Sequence, residues 1–273
     1  MYLEFFGLAR KPFSKTPDPE FLFPSRQHAE ALARLSHALD ERELAVLTGE
    51  IGAGKTTLSR ALVDAFAEQC RFSFIVHPAL PPAQLLGAVA EGFGLPPVRR
   101  KADAFAALGD HVARLDAEGH FAVVVIDEAQ LLPRGAFDEL RLLTNLTADD
   151  RALIGLVLVG QPELRERLRD RGGEAFVQRV GVAYHVGALD EGETGRYLAH
   201  RLAVAGRAAP LFEPDAVAAV HRLSGGVPRR VNQVAAGALL EGFARESARI
   251  GADVVEAATA DLAAHLGTAA RER

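Results

Sequence analysis

Cysteine is nearly absent from this sequence, which excludes the disulfide-stapled class of small secreted proteins. The 273 residues contain one cysteine, Cys70, so no disulfide can form within the chain. Such usage is typical of a reducing compartment. Because Cys70 stands between a helical pattern and an apolar one, we expect a buried thiol rather than a reactive one.

Long hydrophobic runs are also missing. The longest apolar stretch, Phe121–Ile126, has the length of a strand, whereas a transmembrane helix needs about 20 apolar residues. The first residues do not resemble a secretory signal peptide, because Glu4, Arg10 and Lys11 interrupt any apolar core. We therefore expect a cytoplasmic protein.

The charge balance shows no excess of positive charge. The net charge is −5, and 49% of the residues are apolar and 25% charged, as in an ordinary globular protein. A negative net charge does not indicate that the molecule as a whole attracts nucleic acid, although a local basic patch remains compatible with it. We expect the short basic run Arg99-Arg100-Lys101 to be a solvated loop. The nine histidines have no metal-ligand spacing.

Apolar strands alternate with helical patterns through the first two thirds of the chain, which predicts a parallel sheet covered by helices on both faces. After Leu189 the strand patterns stop and four helical patterns follow, with Asp190 and Glu193 forming a capping box at the first. The predicted strands cover residues 44–48, 72–76, 121–126, 153–159 and 182–186. The predicted helices cover 26–39, 55–68, 82–93, 103–116, 137–146, 163–169, 191–205, 214–223, 228–245 and 252–266.

Four segments follow from this pattern. Residues 1–25 are irregular but rich in aromatic residues and proline, which predicts an ordered N-terminal arm rather than a floppy tail. We expect an α/β nucleotide-binding domain over 26–189, a small all-helical lid over 190–267 and a tail over 268–273.

A glycine-rich motif separates the first strand from the next helix. It has the pattern G-x-x-x-x-G-K-[ST] of a P-loop, which predicts an ATP site. Glycines let backbone N–H groups wrap phosphates, and the helix N-terminus adds partial positive charge. Lys55 would contact the β- and γ-phosphates, and the Thr56 hydroxyl would bind Mg²⁺. The predicted nucleotide-binding residues are Gly49, Glu50, Ile51, Gly52, Ala53, Gly54, Lys55, Thr56 and Thr57.

Two carboxylates follow the most apolar strand, at the sheet edge where open α/β sheets bind ligands. We expect Asp127 to hold the Mg²⁺ shell and Glu128 to orient the attacking water. An Asp-Glu pair at a strand end is weak evidence alone. Together with the preceding glycine-rich motif it is strong.

Three further polar residues are candidates for the same site. Gln161 ends the next strand and would reach the γ-phosphate or the water; the alternative is a turn residue before Pro162. Arg179, just before the last strand, would act on a neighbouring subunit's γ-phosphate. Arg229, at the start of a lid helix, would fold over the phosphates or be a surface arginine. Four other arginines compete with Arg179 for this role: Arg165, Arg167, Arg169 and Arg171. The alternative is that these four belong to a solvated charged helix.

The order of these motifs resembles that of AAA+ ATPases. The opening residues narrow the resemblance to the general secretion pathway protein A (ExeA-like) ATPases and the related ATPases encoded with exosortase and polysaccharide-export systems. The resemblance covers about residues 1–265. The matching segments are Met1-Tyr2-Leu3-Glu4-Phe5-Phe6-Gly7-Leu8, Lys11-Pro12-Phe13, Thr16-Pro17-Asp18-Pro19, Phe21-Leu22-Phe23, Gly160-Gln161-Pro162-Glu163-Leu164 and Ser224-Gly225-Gly226-Val227-Pro228-Arg229.

The resemblance implies Walker A at residues 49–56, Walker B at Asp127 and Glu128, sensor 1 at Gln161, an arginine finger at Arg179 and sensor 2 at Arg229. It also implies a ring or filament with sites between subunits. Family members often continue into a membrane span and a peptidoglycan-binding region, which are lacking here. We therefore expect an inner-membrane secretion or export partner to supply the anchor.

Three functions compete at this point. The first is an ATPase whose cycle drives assembly or remodelling of an envelope secretion or export apparatus. The second is a DNA-binding regulator of the transposition-targeting type, against which the acidic net charge argues. The third is an ATP-gated scaffold with little turnover, for which a water-positioning Glu128 would have no use.

Overall fold

The structure is a computed structural model of the chain and describes residues 1–14, 19–21, 23–98, 100–149, 151–170 and 173–266. Part of the opening motif (residues 16–18 and Leu22), Arg99, Arg171 and the predicted tail at 268–273 lie outside these ranges. The chain divides into two compact units. The first contains residues 27–50 and 55–186, and the second contains residues 1–26, 51–54 and 187 onwards.

The secondary structure follows the predicted alternation. The strands are β1 (Leu44–Gly49), β2 (Cys70–Ile75), β3 (Phe121–Ile126), β4 (Thr147–Ala148), β5 (Arg151–Ala152), β6 (Ile154–Gly160) and β7 (Val180–Val186). The helices are α1 (Tyr2–Phe5), α2 (Arg26–Asp40), α3 (Lys55–Phe66), α4 (Pro82–Gly92), α5 (Lys101–Ala117), α6 (Ala136–Leu143), α7 (Glu163–Arg169), α8 (Glu174–Val177), α9 (Glu191–Val204), α10 (Pro214–Ser224), α11 (Pro228–Ala244) and α12 (Ala252–Leu266).

A parallel sheet with the strand order β2-β3-β6-β1-β7 forms the centre of the first unit. Every residue of the three inner strands is buried, whereas the two edge strands mix buried and exposed positions. Continuous burial is what helices on both faces of a parallel sheet produce, and it explains why the inner strands are the most apolar segments of the sequence.

Cys70 is the first residue of edge strand β2 and is buried, as expected. Burial raises the pKa of its thiol to about 11, with smaller and partly opposing effects of Arg42, Asp40 and Arg71. A thiol with this pKa stays protonated at neutral pH and is a poor nucleophile.

Four helices, α9 to α12, form most of the second unit. The capping box predicted at the start of α9 is confirmed: Asp190 Oδ1 accepts from the Glu193 amide at 2.6 Å, and Glu193 Oε2 accepts from the Asp190 amide at 3.4 Å. Glu193 also accepts a hydrogen bond from the backbone N–H of Arg26 through Oε1. These two backbone donors explain how the Glu193 carboxylate can be buried.

The N-terminal segment packs into the core of this second unit. Phe6, Leu8, Phe13 and Phe21 are buried among the apolar side chains of α9 to α12. Arg201 is 7% exposed and contacts this segment twice. Its Nε donates to the carbonyl of Pro12, and its guanidinium lies 4.6 Å from the Phe21 ring centroid. This burial fits the aromatic-rich composition of the segment.

The expectation that the first 25 residues are irregular is wrong in two places. Residues Tyr2–Phe5 form the short helix α1, and Pro19–Phe21 form a 3-10 turn. Both lie next to buried phenylalanines, so packing stabilises turns that the proline-rich sequence does not indicate by itself.

Two details between β3 and β7 also differ from the prediction. Helix α6 ends at Leu143, not at 146, because the chain turns into the antiparallel β4–β5 ladder, and the Thr144 hydroxyl donates to the carbonyl of Arg141. The single-turn helix α8 was not predicted, since one turn is too short to show a helical period.

Candidate functional site

The glycine-rich loop connects β1 with α3, where the motif requires it. Gly52 has φ of +85° and Gly54 has φ of +94°, values that residues with a Cβ rarely adopt. Of the remaining loop positions, Ile51 is 55% exposed and Ala53 is buried. Thr57 lies half-buried in the first turn of α3.

Lys55, the first residue of α3, is buried at 7% exposure. Its ammonium group donates to the carbonyl of Gly49 at 2.7 Å and to that of Glu50 at 3.0 Å. A buried cation at the start of a 12-residue helix adds to the partial positive charge of the helix N-terminus. This end of α3 therefore suits an anionic ligand.

The register of the sheet brings the ends of three strands to one edge. Thr48 pairs with Gly160, and Ile126 pairs with Leu158 two positions earlier on the same strand. The residues that follow β1, β3 and β6 therefore emerge side by side. They are the glycine-rich loop, Asp127 and Gln161.

Asp127 links this edge to α3. Its Oδ2 accepts from the Thr56 hydroxyl at 3.0 Å, and its Oδ1 accepts from the backbone N–H of Glu128 at 2.9 Å. Asp127 is only 6% exposed. Hydroxyl and carboxylate oxygens are the donors that Mg²⁺ prefers, so Thr56 and Asp127 fit such an ion.

Glu128 has an uncommon backbone conformation. Its φ is +50° and its ψ is +37°, in the left-handed region, just before a 3-10 turn over Ala129–Leu131. A non-glycine residue in this region costs of the order of 1–3 kcal/mol, and such residues cluster at functional sites. The Glu128 side chain is half-buried, and its Oε2 accepts a hydrogen bond from the Gln161 side-chain amide at 3.2 Å.

Gln130 belongs to the same network, and the sequence reasoning missed it. Its Nε2 donates to Glu128 Oε2 at 2.5 Å, and its Oε1 accepts from the backbone N–H of Gln161 at 3.0 Å. The only sequence signal was an amide two positions after a strand-end carboxylate, within an apolar Ala129–Leu131 stretch. A single glutamine at such a position does not identify a site by itself.

The arginines near α7 divide into two groups. Arg167 is half-buried and donates to the backbone carbonyl of Gln130, so it is not part of a solvated face. Arg165 and Arg169 are exposed. Arg179 is exposed too and takes part in a different contact, donating to the hydroxyl of Thr144 at 2.9 Å and to its carbonyl at 3.3 Å.

Arg229 lies against the glycine-rich loop. Its backbone N–H donates to the carbonyl of Gly52 at 3.3 Å, and a Cβ placed on Gly52 would lie 2.3 Å from the Arg229 Cβ. The first turn of α11 thus approaches the loop so closely that only glycine fits at position 52. The Arg229 residue is exposed.

One titratable ring borders the carboxyl end of β1. The Nδ1 of His185, on β7, lies 3.1 Å from the Thr48 hydroxyl. Burial lowers the pKa of His185 below its usual range, and the positive charges of Arg165 and Lys55 add to this effect while Glu50 opposes it. These surroundings therefore favour the neutral form of the ring.

Comparison with known proteins relates the chain to one protein family and one bacterial protein. Residues 38–168 match the family model of the AAA domain. Over 256 residues, 92% of the chain, the sequence is 41% identical to the general secretion pathway protein A of Aeromonas hydrophila. The chain spans 46% of that protein's length.

Solved structures with a similar fold include two ORC proteins and one Cdc6 protein. The Aeropyrum pernix ORC2 protein, in its ADPNP-ADP complexes, matches with a TM-score of 0.65 at 22% identity, covering 93% of this chain and 72% of that one. Cdc6p from Pyrobaculum aerophilum matches with a TM-score of 0.69 at 19% identity, covering 92% and 70%. Drosophila ORC bound to DNA matches with a TM-score of 0.68 at 18% identity, covering 96% and 68%. At these identities the likeness concerns the fold alone.

Proposed function

We propose that the chain is an AAA+ P-loop NTPase that binds Mg·ATP and hydrolyses it to ADP and phosphate, since residues 38–168 match the AAA domain and the sequence is similar to general secretion pathway protein A. The observation that carries the proposal is the hydrogen-bonded set at the sheet edge, in which Thr56 contacts Asp127 and Gln161 contacts Glu128.

Binding follows from the loop and the helix behind it. The N–H groups of the glycine-rich loop and the first turn of α3 hold the phosphates, and Lys55 neutralises their charge from its buried position. Thr56 and Asp127 hold the metal ion. When bound there, Mg²⁺ would supply positive charge to the phosphate oxygens.

Hydrolysis follows from the carboxylate next to the metal ligand. Glu128 orients the attacking water, and Gln161, hydrogen-bonded to Glu128, would contact the same water or the γ-phosphate. Arg229, whose backbone N–H donates to the carbonyl of Gly52 in the glycine-rich loop, would act on the bound phosphates. Arg179 is exposed and acts on the site of a neighbouring subunit, which makes a ring or filament the working form.

The biological role is proposed from similarity to a relative and not from the geometry of the site. Similarity to a protein named for general secretion supports a cycle that drives assembly or remodelling of a bacterial envelope secretion or export system. In that role the protein works in the cytoplasm, peripheral to the inner membrane, through a membrane partner. Recovery of an inner-membrane secretion component by the ATP-bound protein, and not by the nucleotide-free protein, is the expected result of affinity capture.

Substitution Glu128→Gln tests the catalytic part. It keeps the size of the side chain but removes the charge that orients water, so turnover should fall by about 10²–10⁴ while ATP affinity stays unchanged. Steady-state phosphate release and binding of a fluorescent ATP analogue measure the two quantities. Glu118→Gln, at an exposed carboxylate after α5, is the matched control and should equal the parent.

Each alternative result has its own meaning. Equal turnover in the parent and in Glu128→Gln would remove Glu128 from the mechanism. Tight ATP binding without turnover in the parent at any protein concentration would favour an ATP-gated scaffold. DNA binding that requires ATP at moderate salt would favour a DNA-associated role over the secretion role.

A further inference from the structure

The side chain of Gln130 bridges the ends of two strands. One end of its amide contacts the Glu128 carboxylate, which follows β3, and the other contacts the backbone of Gln161, which follows β6. Gln130 is the middle residue of the 3-10 turn Ala129–Leu131 and is half-buried. The bridge therefore joins the two segments that carry the proposed water-orienting groups.

The orientation of this amide is determined by its partners. A backbone N–H only donates, so the Gln130 atom that faces the Gln161 N–H must be the carbonyl oxygen. The NH₂ group then necessarily points at Glu128, where an ionised carboxylate only accepts. Reversing the amide would break both hydrogen bonds at once.

Two features hold Gln130 in this position. The guanidinium of Arg167 donates to the Gln130 backbone carbonyl and anchors the 3-10 turn to α7. Gly160 leaves room for the amide, because a Cβ there would lie 2.8 Å from Gln130 Oε1 and 2.9 Å from Leu164 Cδ2. The 3-10 turn and the end of β6 therefore both pack closely against the Gln130 side chain.

We propose that Gln130 is a positioning residue for Glu128. It directs the Glu128 carboxylate toward the site where water is activated and couples that direction to the end of β6. This role rests on the proposed ATPase function. It is separate from phosphate and metal binding, which belong to the glycine-rich loop, Lys55, Thr56 and Asp127.

The Glu128 carboxylate needs such hydrogen bonds to keep one orientation. A side chain with three rotatable bonds samples several rotamers unless hydrogen bonds select one. Gln130 and Gln161 donate to the same oxygen, Oε2, and so restrict rotation of the carboxylate. Loss of the shorter of these two hydrogen bonds should lower the rate of the chemical step without changing nucleotide affinity.

Two substitutions test the proposal in the full-length chain. Gln130→Glu keeps the length and shape of the side chain but replaces the donor with an acceptor, and Gln130→Ala removes the bridge. Both should lower kcat for ATP hydrolysis by roughly 10–100-fold, as loss of an orienting partner does at metal sites. KM and the affinity for a fluorescent ATP analogue should stay at the parental values, whereas the midpoint of thermal unfolding should fall by no more than a few degrees. Gln84→Ala, at an exposed glutamine of α4, is the control and should match the parent throughout.

The outcomes separate this inference from the proposed function. An unchanged kcat in both variants, in a parent that hydrolyses ATP, would overturn the role of Gln130 alone. A change in KM or nucleotide affinity at constant kcat would overturn it as well, in favour of a structural role. A parent that binds ATP but never hydrolyses it would overturn the proposed function and the role of Gln130 with it. If Gln130→Ala does not fold, Gln130→Glu, which preserves the packing volume, decides between these outcomes.

Discussion

The hydroxyl of Thr56 donates to Oδ2 of Asp127 at 3.0 Å. Strand β6 lies between β1, which leads to Thr56, and β3, which leads to Asp127. Their contact therefore spans the width of one intervening strand at the carboxyl edge of the sheet. It joins the glycine-rich loop and the acidic strand end into one candidate metal site.

The first prediction concerns this pair. Thr56→Val keeps the shape of the side chain and removes one oxygen donor, so the Mg²⁺-dependent part of ATP affinity should fall by roughly 10–100-fold. Titration with an ATP analogue, in Mg²⁺ and then in EDTA, measures that part directly. Thr259→Val, on α12, serves as the control. An equal loss in both conditions would mean that Thr56 contacts the nucleotide and not the metal.

The second prediction concerns the approach of α11 to the glycine-rich loop. Gly52 and Gly119 have similar φ values, +85° and +80°, but an added Cβ meets Arg229 at 2.3 Å only at position 52 and nothing within 4 Å at position 119. Gly119→Ala should cost about 1–2 kcal/mol for the left-handed backbone. Gly52→Ala should cost more, because the first turn of α11 must move.

Urea denaturation of the two glycine variants measures this difference. If both substitutions lower the unfolding free energy equally, the loop does not depend on contact with Arg229. Binding of the ATP analogue should fall in Gly52→Ala and stay at the parental value in Gly119→Ala.

The third prediction concerns Arg179 and assembly. Turnover per subunit should rise with protein concentration, and Arg179→Ala should abolish most of it, since such a residue supplies about 10³–10⁵ in rate. Arg169→Ala, at an exposed position of α7, should leave turnover unchanged.

Mixing two inactive variants gives the sharper result. Arg179→Ala retains Glu128, and Glu128→Gln retains Arg179, so a mixed assembly contains some complete sites and should regain part of the activity. A mixture that stays inactive, together with a rate per subunit independent of concentration, would mean that each chain hydrolyses ATP alone.

The fourth prediction concerns the packing of the N-terminal segment. Arg201→Met removes a buried charge-assisted hydrogen bond to Pro12, a loss worth about 1.5–3 kcal/mol. Arg222→Met breaks an exposed pair with Glu256, whose side chains are 62% and 56% exposed, and should cost at most about 1 kcal/mol. Chemical denaturation compares the two. Similar costs would show that Arg201 adds little to the core.

The sequence alone predicts the fold class because its signals are local. The inner strands are buried at every position, so they appear in the sequence as uninterrupted apolar runs. The predicted bounds of β3 and α7 coincide with the observed ones. Elements of one turn or two residues, such as α8 and β4, carry no period and could not be predicted.

Some residues of the candidate site could be predicted from local sequence, and others could not. The glycine-rich loop and the Asp127-Glu128 pair follow from residue chemistry placed between a strand and a helix. The roles assigned to Gln161, Arg179 and Arg229 stay predictions. Gln130 escaped notice because its importance depends on a neighbour 31 positions away, the Gln161 backbone.

Sequence by itself determined which residues are apolar, where strands and helices alternate and which segments are candidates for phosphate and metal binding. Tertiary structure decided the strand order, which brings Thr56 to Asp127, and the left-handed backbone of Glu128 with its support from Gln130. Periodicity is a property of neighbouring residues in the chain, whereas hydrogen-bond partners depend on which strands lie side by side. The burial of Arg201 against the N-terminal segment likewise depends on tertiary packing and not on neighbouring residues in the chain.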